Sequence, residues 1–518
     1  MKNTKIKITS LIISVIMLMS FLASCNANMD INGGYKPGAP NADGGIYDEE
    51  SNSQISGDED YAEIIENDFI NVLENPLSTF SADVDTASYS NLRRMINSGY
   101  KMSEIPKNAV RTEEMLNYFK YDYKLPTGDE PFGVTATIST CPWNPQNMLA
   151  IFGFRTEEIE YSDKPLNLVF LVDVSGSMRS DDKLGLLQKS FEGLVENLDG
   201  NDTVSIVTYS GTEKVVLKGC KGSETQKILD AINGLEAGGS TNGQSGLQKA
   251  YSLAQDYFIE GGNNRIIMAS DGDLNVGISS PEQLKNFVAQ KRESGIYLSV
   301  LGFGTGNYKD DNMEALADNG NGNYYYIDSL EEGKKVLGTD LNSTINTIAD
   351  DVKFQIDFNH EFVDSYRLIG YENRVLNSED FNDDKKDAGE VGSGHMLTVA
   401  YELKMKPTDA AEVSEEWLTV CVRYKDPGES ESKLLEYAIT DESFTATPDD
   451  DWFFAASVIE LAMVIRESKY CNGITIDNVL SLLGDIDLND NYKQEFKQLV
   501  EKLKTQTGTQ SSDTGSRY

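Results

Sequence analysis

Five oxygen-bearing side chains stand where a cation could be held. The stretch Asp173-Val174-Ser175-Gly176-Ser177 follows the apolar run Leu166–Val172, and Asp271-Gly272-Asp273 follows the run Arg265–Ser270. A third stretch, Gly238-Gly239-Ser240-Thr241-Asn242, leads into a helical pattern. Carboxylates and hydroxyls, with no sulfur or imidazole among them, suit a hard dication. Mg2+ asks for six oxygens in near-octahedral array and keeps several waters. Two Asp charges balance such an ion, and the glycines let the loops turn tightly. A lone D-x-S-x-S could do no more than cap a helix. At the end of a buried strand, beside a Gly-rich Thr loop and a second strand-end Asp, it points to a bound divalent cation.

Catalytic alternatives are thin. The only histidines, His360 and His395, lie in no H-E-x-x-H, and neither G-x-S-x-G nor G-x-x-x-x-G-K-[ST] occurs. No general base of conventional type stands in the three loops, so the expectation is a binding site and not an enzyme. The alternatives are metal-assisted hydrolysis and a structural envelope protein whose metal site only stabilises loops. Asp83 and Asp85 could pair as acid and base, but a turn or capping role before the helix at Ala87 is the simpler reading. Asp485-x-Asp487-x-Asn489 has Asp490 and Phe496 where a calcium loop needs Gly and Glu.

Loops of this kind need parallel strands to carry them, and residues 165–345 supply the pattern. Leu166–Val172 is a nearly continuous apolar run, interrupted only by Asn167, as a strand covered on both faces requires. Strands are expected at Thr203–Tyr209, Lys214–Leu217, Arg265–Ser270, Tyr297–Gly302 and Asn323–Ile327. Helices at Leu184–Leu198, Gln226–Leu235, Gly246–Phe258, Pro281–Glu293 and Asn312–Ala317 alternate with them. Such alternation predicts an α/β fold with a central, doubly wound, mostly parallel sheet of Rossmann-like type. Ligands of such sheets sit at the carboxyl ends of the strands, where strand order reverses.

Residues 69–160 read as an α+β flank, with helices at Ala87–Asn97 and Thr112–Phe119 and strands at Val134–Ser139 and Leu149–Phe154. Residues 350–505 read as β-rich, then helical. Their strands are Lys353–Phe358, Leu397–Lys404, Trp417–Tyr424 and Leu434–Thr440, and their helices Asp451–Lys469 and Asn489–Lys504. Residues 506–518 are polar and read as a disordered tail.

The central stretch resembles a von Willebrand factor type A domain with an intact metal-ion-dependent adhesion site. That resemblance implies direct metal ligation by Ser175 and Ser177, a further ligand in Thr241, and Asp173 and Asp271 acting through water. It implies an open coordination position that a partner protein's acidic side chain fills, at a mouth formed by Ser177, Thr241 and Asp271. It implies Mg2+ as the metal, with Mn2+ or Ca2+ as substitutes. Ser78-Thr79-Phe80-Ser81-Ala82-Asp83-Val84-Asp85-Thr86 and Glu113-Glu114-Met115-Leu116-Asn117-Tyr118-Phe119 resemble the N-terminal region of bacterial YfbK-type proteins. Tyr366 to Arg374 and Tyr424 to Ser430 resemble their C-terminal region.

The beginning of the chain states an address. Lys2, Lys5 and Lys7 precede an apolar stretch from Ile8 to Ala23, too short and too interrupted for a spanning helix, so residues 1–24 read as a signal peptide. Leu22-Ala23-Ser24-Cys25 resembles a bacterial lipobox, which implies lipidation of Cys25 and a membrane anchor on the extracytoplasmic face. Residues 25–68 read as a flexible acidic tether: between Asn26 and Asn75 twelve Asp or Glu face the single Lys36. The whole chain of 518 residues carries 84 acidic and 45 basic side chains, a net charge of −39. That excess argues against nucleic acid as a partner. Cys141, Cys220, Cys421 and Cys471 have no metal-ligand spacing, and the sequence does not choose between disulfides and buried thiols.

Overall fold

The computed structural model describes residue 59 and residues 61–159, 164–272, 281–305, 310–407 and 415–508. The signal peptide, Cys25, most of the acidic tether and residues 509–518 lie outside the described residues.

The central sheet has six strands, in the order Tyr324–Ile327, Tyr297–Phe303, Asn263–Ser270, Leu166–Asp173, Thr203–Tyr209, Glu213–Lys221. All pairings are parallel except the last, where Glu213–Lys221 closes one edge antiparallel to its neighbour. The chain enters the sheet at Leu166–Asp173, moves outward on one side, then returns to Asn263–Ser270 on the other. Strand order therefore reverses at the Leu166–Asp173 and Asn263–Ser270 pair, where such sheets place ligands.

Every residue of Leu166–Asp173 is buried. Alternation along the strand explains why: Leu168, Phe170 and Val172 pack in one core with Leu187, Phe191 and Leu194, while Val169 and Leu171 pack in another with Leu247, Ala250 and Tyr251. The first partner set lies on the helix Leu184–Val195 and the second on Gly243–Asp256. Covering both faces at about 1.5–3 kcal/mol per large apolar side chain leaves the strand no freedom to slide. The doubly wound sheet expected from the sequence is present.

The flanks on either side of this sheet share their own sheets. Met148–Thr156 pairs with Met396–Met405, with Phe152 opposite Val399, in a five-stranded antiparallel sheet completed by Phe132–Thr140, Val363–Ile369 and Ile70–Asn71. Leu77–Ser81 pairs with Thr347–Phe358 of a second sheet, with Phe80 opposite Phe354. Phe80, Phe152, Phe154, Phe354, Phe358 and Tyr401 fill a single core between them. Helices from both ends of the sequence, Ala87–Asn97, Thr112–Asn117, Asp450–Arg466, Ile476–Gly484 and Asn491–Gly508, form another. Asp449 caps the start of Asp450–Arg466, its side chain accepting a hydrogen bond from the Trp452 amide.

Several boundaries differ from expectation. The final helix runs to Gly508, past Lys504 and into the stretch read as a tail. Residues 61–68, read as tether, lie on the body: Asn67 donates to the carbonyls of Leu368 and Gly370, and Asn91 donates to the Tyr61 hydroxyl. The strand Val363–Ile369 carries Arg367, fully buried in an otherwise strand-like run, which hid it. Its guanidinium meets the Glu402 carboxylate at 2.8 Å. All four described cysteines are free thiols.

Buried arginines fasten the flanks to the central sheet. Arg93 meets Asp328 at 2.5 Å, Glu332 at 2.7 Å and Glu495 at 3.1 Å. Arg111 meets Glu314 at 2.7 Å, Asp310 at 2.8 Å and Glu114 at 3.1 Å. Arg374 meets Asp83 at 2.8 Å and Asp318 at 3.0 Å.

Candidate metal-binding site

Parallel pairing of Leu166–Asp173 with Asn263–Ser270, Val172 opposite Ala269, brings Asp173 and Asp271 to neighbouring strand ends. Ser270 lies between them: its hydroxyl is 3.4 Å from Asp173 Oδ2 and accepts from the Gly272 amide at 3.1 Å. Asp173 Oδ1 accepts from the Ser175 amide at 2.8 Å, which turns the loop back over the strand end. Ser175 and Ser177 face each other with 2.8 Å between their hydroxyl oxygens.

The Thr241 loop is tied to the first. The Gly238 amide donates to the Val174 carbonyl at 2.7 Å, and the Gly176 amide donates to the Gly239 carbonyl at 3.1 Å. Gly239 sits at φ +89, and a Cβ there would come 3.2 Å from Ser210 Oγ. The backbone therefore needs glycine at that point. Thr241 follows, half-buried, just before the helix Gly243–Asp256.

Burial grades across the group. Asp173, Ser175 and Asp271 are buried, Thr241 is intermediate and Ser177 is exposed. Charge lies at the floor and hydroxyls toward the rim. Burial pushes the Asp173 carboxyl up to about 6, with hydrogen bonds from Ser175 opposing and the negative charge of Asp271 adding to the shift. A carboxylate so placed gains from a cation. Among the described residues no group of three or more His, Cys, Asp or Glu side chains is arranged to hold a metal. A cation at these loops would therefore draw on the hydroxyls and water as well as the two Asp, as a hard dication accepts.

Lys183 was not anticipated from the sequence. Its ammonium lies 3.0 Å from Asp271 Oδ2, with both side chains at 10% exposure or less. Asp83 and Asp85 also resolve: Asp83 Oδ1 accepts from the Asp85 amide at 2.9 Å, and Asp85 Oδ1 accepts from the Tyr324 amide at 2.8 Å. Together with the Arg374 contact, these bonds make the pair a buried turn joining the N-terminal flank to the central sheet.

Residues 167–339 match the von Willebrand factor type A domain, residues 55–150 a family described as von Willebrand factor, and residues 343–506 the C-terminal region of the uncharacterized protein YfbK. YfbK of Escherichia coli (strain K12) is 38% identical over 466 residues, which cover 85% of this chain and 80% of that one. The chain belongs to the YfbK family. Human inter-alpha-trypsin inhibitor heavy chain H3 is 28% identical over 267 residues, 48% of this chain and 29% of its own length. Among solved structures, von Willebrand factor type A from Catenulispora acidiphila superposes with a TM-score of 0.43 at 13% identity, covering 71% of this chain and 88% of that one. Type A domains commonly mediate protein interactions and often bind a divalent metal.

Proposed function

We propose that this protein is a lipid-anchored binding protein of the extracytoplasmic membrane face that grips a protein partner through a divalent metal. The carrying observation is the graded oxygen site at the point where strand order reverses, carboxylates at its floor and hydroxyls at its rim. Asp173 and Asp271 supply the two negative charges, and Ser175, Ser177 and Thr241 the neutral oxygens. When bound, Mg2+ (or Mn2+ or Ca2+) supplies a coordination position for a carboxylate of the partner. Ser177 and Thr241 frame that position, and the locked loops hold it open without rearrangement. An acidic protein thereby holds an acidic side chain, because the ion reverses the local preference. Cys25, carrying acyl chains, and the acidic segment after it hold the body away from the membrane surface.

The test is crosslinking and pulldown from membranes with and without EDTA, wild type beside Asp173→Ala. Capture of partner proteins should be lost in EDTA and return with Mg2+. The Asp173→Ala protein should capture none while keeping its thermal transition. Capture that persists in EDTA would refute the reading and favour a structural role for the flanks. In the same fractionation, Cys25→Ala should leave the membrane pellet; retention there would remove the lipid anchor.

A further inference from the structure

The site contains a cation of its own. Lys183 closes the loop that begins at Asp173, standing immediately before the helix Leu184–Val195. Its amide donates to the Ser180 carbonyl, and its own carbonyl accepts from Leu187, so the backbone is fixed at both ends. The side chain then runs inward to Asp271, 3.0 Å away, with exposures of 10% and 1% for the two side chains. A dedicated slot receives it. Gly304 stands at φ +76, and a Cβ there would meet Lys183 Cε at 2.1 Å, Cγ at 2.5 Å and Cδ at 2.7 Å. The Gly304 carbonyl accepts from the Tyr326 hydroxyl at 2.6 Å, which pins that wall of the slot. A lysine on the surface of a helix start needs none of this.

We propose that Lys183 sets the charge of the metal site and so its preference for an anionic ligand. This rests on the metal reading above and adds to it. Asp173 and Asp271 alone would be neutralised by a dication, leaving no net pull on an anion. With the Lys183 ammonium present, the loaded site carries one excess positive charge, which a single carboxylate from a partner cancels. The same ammonium opposes the metal electrostatically and holds Asp271 when no metal is bound. Weaker metal affinity is thus exchanged for a stronger grip on an acidic ligand.

The probe is Mn2+ alone, titrated calorimetrically into the full mature chain, with Lys183→Met, Lys183→Arg and Gly304→Ala beside wild type. Lys183→Met keeps the aliphatic stem and drops the charge. It should bind Mn2+ roughly tenfold more tightly and show a larger rise in thermal midpoint on Mn2+ addition. Lys183→Arg should remain near wild type, and Gly304→Ala, which evicts the stem, should move toward Lys183→Met. A second arm adds acetate to the Mn2+-loaded proteins and follows water proton relaxation, which falls as a carboxylate displaces metal-bound water. Wild type should respond at several-fold lower acetate than Lys183→Met. Unchanged or weaker Mn2+ binding by Lys183→Met, or equal acetate response, overturns the role of Lys183 alone. Wild type that binds no Mn2+, or Asp173→Ala that binds it as well as wild type, overturns the metal reading and this inference with it.

Discussion

Arg111→Met should lower the stability of the whole body by about 3–5 kcal/mol near neutral pH, the usual consequence of removing one partner from a buried ion pair. The guanidinium is 4% exposed and lies within 3.1 Å of Glu114 and closer still to Asp310 and Glu314. Glu114 belongs to the helix Thr112–Asn117 of the N-terminal flank, while Asp310 and Glu314 lie on Asp310–Asn319 beside the central sheet. One side chain therefore joins two elements almost 200 positions apart in sequence, Arg111 and Asp310 being separated by 199 residues. Methionine fills the stem's space but removes the guanidinium that the three carboxylates share, leaving Glu314 the more distant Arg374 at 3.8 Å. These groups can take up protons, since burial already raises the carboxyls of Glu114, Asp310 and Glu314. The loss should accordingly be smaller at pH 5.5 than at pH 7.5. Urea denaturation at both pH values gives the check, read as the shift in midpoint at constant slope. A midpoint within error of wild type at pH 7.5 would show that these contacts contribute nothing net.

What the sequence made legible follows how local each cause is. Leu166–Asp173 could be read because a strand covered on both faces is nearly continuously apolar, broken before its end only by Asn167, and Asp173 was placed at its end by that pattern alone. Asp271 followed from the second buried run. The adjacency of these two ends is a property of strand order, and it was expected from the winding rule and not from any residue. Lys183 could not be read: between Asp182 and Leu184 it has the look of a solvated helix start, and its partner Asp271 is 88 positions away. Val363–Ile369 was missed because Arg367 breaks its apolar pattern, a charge made tolerable by Glu402 on the neighbouring strand, by Glu66 at 3.8 Å and by the Tyr470 ring at 4.2 Å. Glu113 and Glu114 look like exposed first-turn acids, favoured there by the helix dipole. In the fold they are buried, at 1% and 0% exposure, because other elements close over the helix start.

That burial has a measurable consequence in pH. Glu113 is pushed up to about 8, chiefly by burial and then by the negative charges of Glu372, Asp83 and Glu114. Among the described residues its Oε2 has no hydrogen-bond partner, and Gly370, at φ +78, lies so close that a Cβ there would meet it at 2.6 Å. Glu114 rises to about 7 through burial, with Arg111 opposing, and Glu460 to about 7 through burial. A carboxyl whose folded value exceeds its unfolded value binds more protons in the folded state. Its contribution is present at low pH and is lost as pH rises through the folded value. His395 acts in the other direction: burial holds it down to about 4, so it costs stability only below its unfolded value of 6.5. Between pH 6.5 and 9 His395 is neutral in both states, and the buried acids set the slope. These are the glutamates above with Asp85, Glu314 and Glu390, all raised by burial. The thiols of Cys141, Cys421 and Cys471, also raised by burial, act in the same direction toward pH 9. Stability should fall across that window, seen as a falling thermal midpoint, by at most roughly 1.4 kcal/mol of unfolding free energy per pH unit for each buried acid that keeps its proton. Glu113→Gln, which cannot ionise, should flatten the fall and stand above wild type at pH 9. Scanning calorimetry of both proteins at constant ionic strength decides it. A glutamine variant no more stable than wild type at pH 9 would mean that Glu113 carries its charge in the fold without penalty.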